Sequence, residues 1–231
     1  MPDLLAMGHQ LSVWFLPVVI AITVHEAAHA FVADKLGDDT ARRLGRVSFN
    51  PIRHIDPFGT LVLPGLLLLL RAPFLFGWAK PVPVAFHRLN HPKRDMVWVA
   101  LAGPAVNLAM AMAAALLLHL AIVLPGVVAE WVMLNLLNAV LINVVLAVFN
   151  MLPIPPLDGG RVLTGLLPVP LAIRFAQTER YGLMILIGLL FIVPMIGDQL
   201  GLTLNPVAMA LQPVITALQN LVMSVAGWQL G

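Results

Sequence analysis

Leu11-Ser12-Val13-Trp14-Phe15-Leu16-Pro17-Val18-Val19-Ile20-Ala21-Ile22-Thr23-Val24-His25-Glu26-Ala27-Ala28-His29-Ala30-Phe31-Val32 is apolar almost throughout, yet carries two histidines and a glutamate near its end. The run continues to Leu36 and is long enough to cross a bilayer as a helix. Histidines four apart lie one above the other on a single helix face, so His25 and His29 can reach one metal ion. Glu26, beside the first histidine, is placed to act on a water activated by that metal. Ionisable groups inside a spanning helix are costly and mark functional sites. The stretch therefore implies a membrane protein with a metal centre below the membrane surface.

Composition agrees with this class. Of 231 residues, 60% are hydrophobic and only 10% are charged, with a mean hydropathy of +0.94. A soluble domain would carry about a quarter charged residues. The formal net charge of +2 comes from few ionisable groups, and no basic tract points to nucleic acid. Cysteine is absent, which removes disulfides, thiolate ligands and a cysteine nucleophile together. Residues 1–10 contain Asp3 and neither lysine nor arginine, unlike the positive start of a cleavable signal, so the first segment is expected to be retained.

Four further apolar segments are expected to span: Met96 to Leu124, Val128 to Leu152, Tyr181 to Ile196 and Pro206 to Trp228. The run Phe58 to Leu70 is shorter and holds Gly59, Pro64 and Gly65, which predicts a re-entrant apolar hairpin. Arg46 to Pro51 reads as a short strand. Trp78 to Val84, with Pro81 and Pro83 two apart, reads as extended backbone whose edge could take up an unwound peptide. The expected fold is thus an all-α polytopic membrane protein of about five spans, with a re-entrant hairpin and short β-like segments on the cytoplasmic side. No internal repeat or linker divides the chain. One domain over residues 1–231 is expected, with a core over 11–166 and C-terminal helices over 170–228.

Charge supports the layout. Arg42, Arg43, Arg46, Arg53, Arg71, Lys80, Arg88, Lys93 and Arg94 fall between the first and second spans, and Arg161, Arg174 and Arg180 between the third and fourth. The turns near Pro125 to Glu130 and Gly197 to Asn205 have no basic residue. By the positive-inside rule the N-terminus lies outside and the C-terminus inside. The histidine pair then sits in the cytoplasmic half of its span, roughly 10 Å from the helix end near Leu36 at 1.5 Å per residue.

A catalytic zinc site needs a third protein ligand. His54, Asp56, His87, His91, Asp95 and Asp158 lie on the same side of the membrane. Asp158 stands out, because it follows Pro153, Pro155 and Pro156 at the broken end of the third span, before Gly159 and Gly160. Irregular backbone at membrane depth is tolerated where it lines a cavity. Helix capping is the plainer role for the same residue.

Five motifs in order resemble the site-2 protease family of intramembrane zinc metalloproteases. They are His25-Glu26-Ala27-Ala28-His29, Asn50 to Thr60, Gly77 to Val84, Ala102-Gly103-Pro104-Ala105-Val106-Asn107, and Leu157-Asp158-Gly159. The resemblance implies one Zn2+ per chain held by His25, His29 and Asp158, with Glu26 as general base and acid. It implies that Asn107 contacts substrate or the oxyanion; an interhelical hydrogen bond is the equal alternative. His54 and Asp56 could orient a zinc ligand, or serve their own turn. The implied substrates are single-span membrane proteins, cleaved in the lipid bilayer of a prokaryotic cell membrane on its cytoplasmic side. The chain departs from the family pattern in having ten residues before its first span, and no PDZ-like or nucleotide-sensing insertion is visible. A metal transporter or sensor is the competing class, but it gives Glu26 no task.

Overall fold

The computed structural model describes residues 4–62, 66, 80–202 and 204–228. Five helices among them are long and apolar enough to cross a membrane: 8–35 within the longer helix α1 (Leu4–Lys35), α3 (Pro92–Ala121), α4 (Gly126–Asn150), α7 (Glu179–Gln199) and α8 (Pro206–Val225). They coincide with the five spans expected from hydropathy. Short helices join them: α2 (Thr40–Arg43), α5 (Asp158–Leu166) and α6 (Val169–Ala176).

Helix α3 is the centre of the bundle, packed by α1, α4, α5 and α8. In lipid, helices gain little from hiding apolar surface and associate through close packing of small side chains. The buried positions fit that rule. Ala21, Ala27, Ala30 and Ala33 of α1 are buried, as are Ala100, Gly103, Ala111, Ala114 and Ala115 of α3. Ala111, Ala114 and Ala115 of α3 join Val140, Val144 and Val148 of α4 and Ile215 and Val222 of α8 in one apolar core. The large side chains Leu116, Leu117 and Leu120 of α3 are left exposed, the face that suits lipid.

The first span ends where the sequence indicated. Gly37 has φ of +108°, and a Cβ there would collide with the Asn90 side chain. The chain then turns through Asp38, whose carboxylate accepts from the Thr40 N–H and hydroxyl and, at 2.6 Å, from the Ala85 N–H. Burial opposes ionisation of Asp38, but these donors and the nearby Arg88 outweigh it and hold its carboxyl below the usual range.

The β-like segments are a misreading. Among the described residues there is no strand; Arg46 to Pro51 forms bends leading into a 3-10 turn at Pro51–His54. Residues 80–85 belong to no ladder, and residues 78–79 lie outside the described part. The reason is donor arithmetic. Pro81 and Pro83 have no N–H, and three other donors are already taken. Lys80 N–H goes to the His54 carbonyl, Val82 N–H to the Glu26 carboxylate, and Ala85 N–H to Asp38. Of the apolar run Phe58 to Leu70, residues 58–62 lie in a π-helical turn, Pro57–Val62; most of the rest falls outside the described residues.

Candidate metal centre

Helix α1 brings His25 and His29 to its face against α3, both about 5% exposed. They fit there because residue 103 is glycine: a Cβ at Gly103 would meet the imidazoles of both histidines. Asp158 arrives from the other side as the first residue of α5, also buried. Gly159, against the Met151 and Leu152 carbonyls, lets that turn fold tightly onto the end of α4, where a Cβ has no room. Gly182 of α7 backs the same turn, lying against Pro155.

Three ligand atoms converge. His25 Nε2 and His29 Nε2 are 3.0 Å apart, and Asp158 Oδ2 is 3.2 Å from the first and 3.3 Å from the second. His25 Nδ1 lies 2.5 Å from Asn107 Oδ1, and His29 Nδ1 lies 2.7 Å from the Val99 carbonyl. Those oxygens only accept, so each ring places a proton on Nδ1. A neutral ring then points a bare Nε2 lone pair into the triangle. Asp158 Oδ2, for its part, has no hydrogen-bond donor among the described residues. Three lone pairs at such spacing repel unless a cation lies between them.

The spacing also suits a metal. Tetrahedral ligands with bonds of about 2.0–2.1 Å are separated by roughly 3.3 Å. The observed triangle is one face of such a tetrahedron to within a few tenths of an ångström. Two imidazoles and a carboxylate suit a divalent transition ion such as zinc and leave a coordination position open. Among the described residues this is the one cluster of three histidine, aspartate or glutamate residues able to hold a metal ion.

Glu26 is half-buried beside His25, and its charge reaches His29. One of its carboxylate oxygens accepts from the Val82 N–H at 2.7 Å. Arg46 clamps the same loop by donating to the Lys80 carbonyl at 2.7 Å. Asn107 is fully buried and engaged at both ends, by His25 and by Asn143. It shows the interhelical bonding that was one of its two expected roles. His54 and Asp56 each have a side-chain bond within their own loop. His54 Nε2 donates to the Ser48 carbonyl at 2.8 Å, and Asp56 accepts from the Gly59 N–H at 2.6 Å. The ring nitrogens of His25 and His29 are supported by Asn107 and Val99 instead. His87 and His91 lie apart from the triangle, His91 exposed beside Asp95.

The fold and site together define a multi-pass membrane protein with a divalent-metal triad of two histidines and an aspartate between its helices. Comparison with known proteins makes the class definite. The model of Peptidase family M50 matches residues 119–193. "Putative zinc metalloprotease YwhC" of Bacillus subtilis is 39% identical over 190 residues, covering 77% of this chain and 79% of that protein. "Putative zinc metalloprotease Rip2" of Mycolicibacterium smegmatis is 31% identical over 174 residues, covering 74% of this chain and 64% of the relative. Its counterpart in Mycobacterium tuberculosis is 31% identical over 176 residues, covering 76% and 65%. The chain belongs to peptidase family M50, the site-2 protease family. No solved structure matches it.

Proposed function

We propose that the protein is an intramembrane zinc metalloprotease that hydrolyses peptide bonds within or near the spans of single-span membrane proteins. The observation that carries this reading is the triangle of His25 Nε2, His29 Nε2 and Asp158 Oδ2, with the Glu26 carboxylate alongside. One Zn2+ per chain fits the triangle, and when bound it supplies a Lewis acid that activates water and polarises the scissile carbonyl. Glu26 takes the proton of the attacking water on its carboxylate and delivers it to the departing amine. The Nδ1 bonds to Asn107 and Val99 hold both imidazoles in the ligating tautomer and orientation. Burial of the three ligands keeps bulk water from competing at the centre.

Substrates must bring an unwound segment to Glu26, since a peptide bond inside an intact helix is hydrogen-bonded and shielded. The basic residues between the first and second spans support a site that faces the cytoplasm of a bacterial cell membrane. Reconstituted wild type and Glu26→Gln, both zinc-loaded, decide the matter when offered a library of single-span substrates. Cleavage by wild type alone is expected. Cleavage retained by Glu26→Gln overturns the role of Glu26. Zinc transport without proteolysis overturns the reading in favour of a transporter.

A further inference from the structure

His29 and His25 reach the same tautomer by different means. His29 Nδ1 is bonded directly to a backbone carbonyl, Val99 O, which cannot rotate. His25 Nδ1 is bonded to the side-chain oxygen of Asn107, and a carboxamide presents a donor after a half-turn about its last torsion. A turned Asn107 would offer its NH2 group to His25 Nδ1. The ring proton would then move to Nε2, pointing at the position of the metal.

The orientation of Asn107 is fixed from the next helix. Asn107 Nδ2 donates to Asn143 Oδ1 at 2.7 Å, and Asn143 Nδ2 donates to the Ala139 carbonyl at 2.8 Å. The Ala139 carbonyl can only accept, so it determines which end of Asn143 faces it. That choice leaves Asn143 Oδ1 toward Asn107, which determines Asn107 in turn, and finally His25. The two amides are 0% and 1% exposed, so solvent does not offer either orientation an alternative partner. Among the described residues Asn107 Nδ2 has one other hydrogen-bond contact, the Ala21 carbonyl at 3.5 Å, which is too long to hold the amide alone.

We propose that Asn143 is a positioning residue for the metal centre: acting through Asn107, it keeps the proton of His25 on Nδ1 and the Nε2 lone pair free. Helix α4 thereby controls a site to which it contributes no ligand. A partner in this outer layer typically governs metal affinity by 10–100-fold. The proposal deepens the metalloprotease reading and rests on it for the metal, but the tautomer of His25 is a property of the chain by itself.

The test compares wild type, Asn143→Leu and Asn143→Asp. Leucine keeps the branching at Cγ, is larger, and has no acceptor. An aspartate at this depth, as the neutral acid that burial favours, reproduces both bonds: its hydroxyl donates to Ala139 and its carbonyl accepts from Asn107. Zinc affinity by chelator competition should fall about 10–100-fold in Asn143→Leu and stay within a few-fold in Asn143→Asp. Ring-nitrogen NMR of metal-free protein with labelled histidine, recorded well above the histidine range, should show His25 protonated on Nδ1 in wild type and Asn143→Asp. In Asn143→Leu it should show a population protonated on Nε2.

Equal zinc loss in both variants indicates a merely structural role and overturns the proposal. So does wild-type affinity with an unchanged tautomer in Asn143→Leu, and so does a wild-type His25 protonated on Nε2. Should Asn143→Leu fail to fold, the tautomers of wild type and Asn143→Asp still decide. Wild type that binds no zinc would defeat the metalloprotease reading, while the NMR comparison still judges Asn143.

Discussion

Replacing Gly103 by alanine adds one methyl group at the point where α1 and α3 touch. Its Cβ would lie 2.6 Å from His25 Nε2 and closer still to His25 Cε1 and His29 Nε2. An ordinary carbon–nitrogen contact is about 3.5 Å, so the rings must retreat by roughly 1 Å. A metal site tolerates about 0.2 Å in its bond lengths. The shift is several times that tolerance and acts on two of the three ligands together. Zinc affinity should therefore fall by at least ~100-fold, the upper end of what losing a supporting contact costs. The helix itself has no cause to unfold, since alanine is favoured over glycine in a helix interior by about 1 kcal/mol. The assay is zinc content after purification, followed by chelator competition, with thermal unfolding of the metal-free proteins as control. Gly103→Ala that binds zinc as tightly as wild type would refute the account of how α3 shapes the site.

Three further outcomes follow from contacts around the centre. Arg46→Met removes a charged donor from the Lys80 carbonyl and should cost about 1.5–3 kcal/mol in thermal or denaturant unfolding, with zinc content unchanged. Gly182→Ala should push α7 off Pro155 and destabilise by about 1–3 kcal/mol through overpacking, read from unfolding of the metal-free protein. The Asp38 carboxyl is held below its ordinary value of 3.8, so below that value the unfolded chain takes up the proton more readily. Its stabilisation is complete above 3.8 and is lost as pH falls through the lower folded value. Melting temperatures measured across that window should decline more steeply for wild type than for Asp38→Asn.

The sequence carried the parts of this architecture that depend on local pattern. Five apolar segments of spanning length, the end of the first span near Leu36 and the His25–His29 spacing are each visible within one element. Asp158 could be selected as a ligand candidate because prolines and glycines around it announce irregular backbone at a helix end. What depends on the relative rotation of two helices was not visible. Asn107 and Asn143 are 36 residues apart, and nothing in either apolar segment says that their amides meet. Gly103 was readable as part of a motif, but not as the floor beneath two imidazoles. The strand expected over Trp78 to Val84 is not formed in its described part, residues 80–84, for a reason the sequence did contain. Alternating prolines resemble a strand's period, yet they delete the donors a ladder needs. The remaining N–H groups were then available to the Glu26 and Asp38 carboxylates.

The central claim, that the His25–His29–Asp158 centre hydrolyses peptide bonds inside the bilayer, is tested most directly by mapping the scissile bond. Zinc-loaded protein in proteoliposomes is incubated with a single-span substrate in oxygen-labelled water, and the products are identified by mass spectrometry. The account predicts a cut within or next to the span, one labelled oxygen in the new C-terminal carboxylate, and no product after zinc is removed. A cut confined to the substrate's water-exposed domain, or products that persist without zinc, would contradict it.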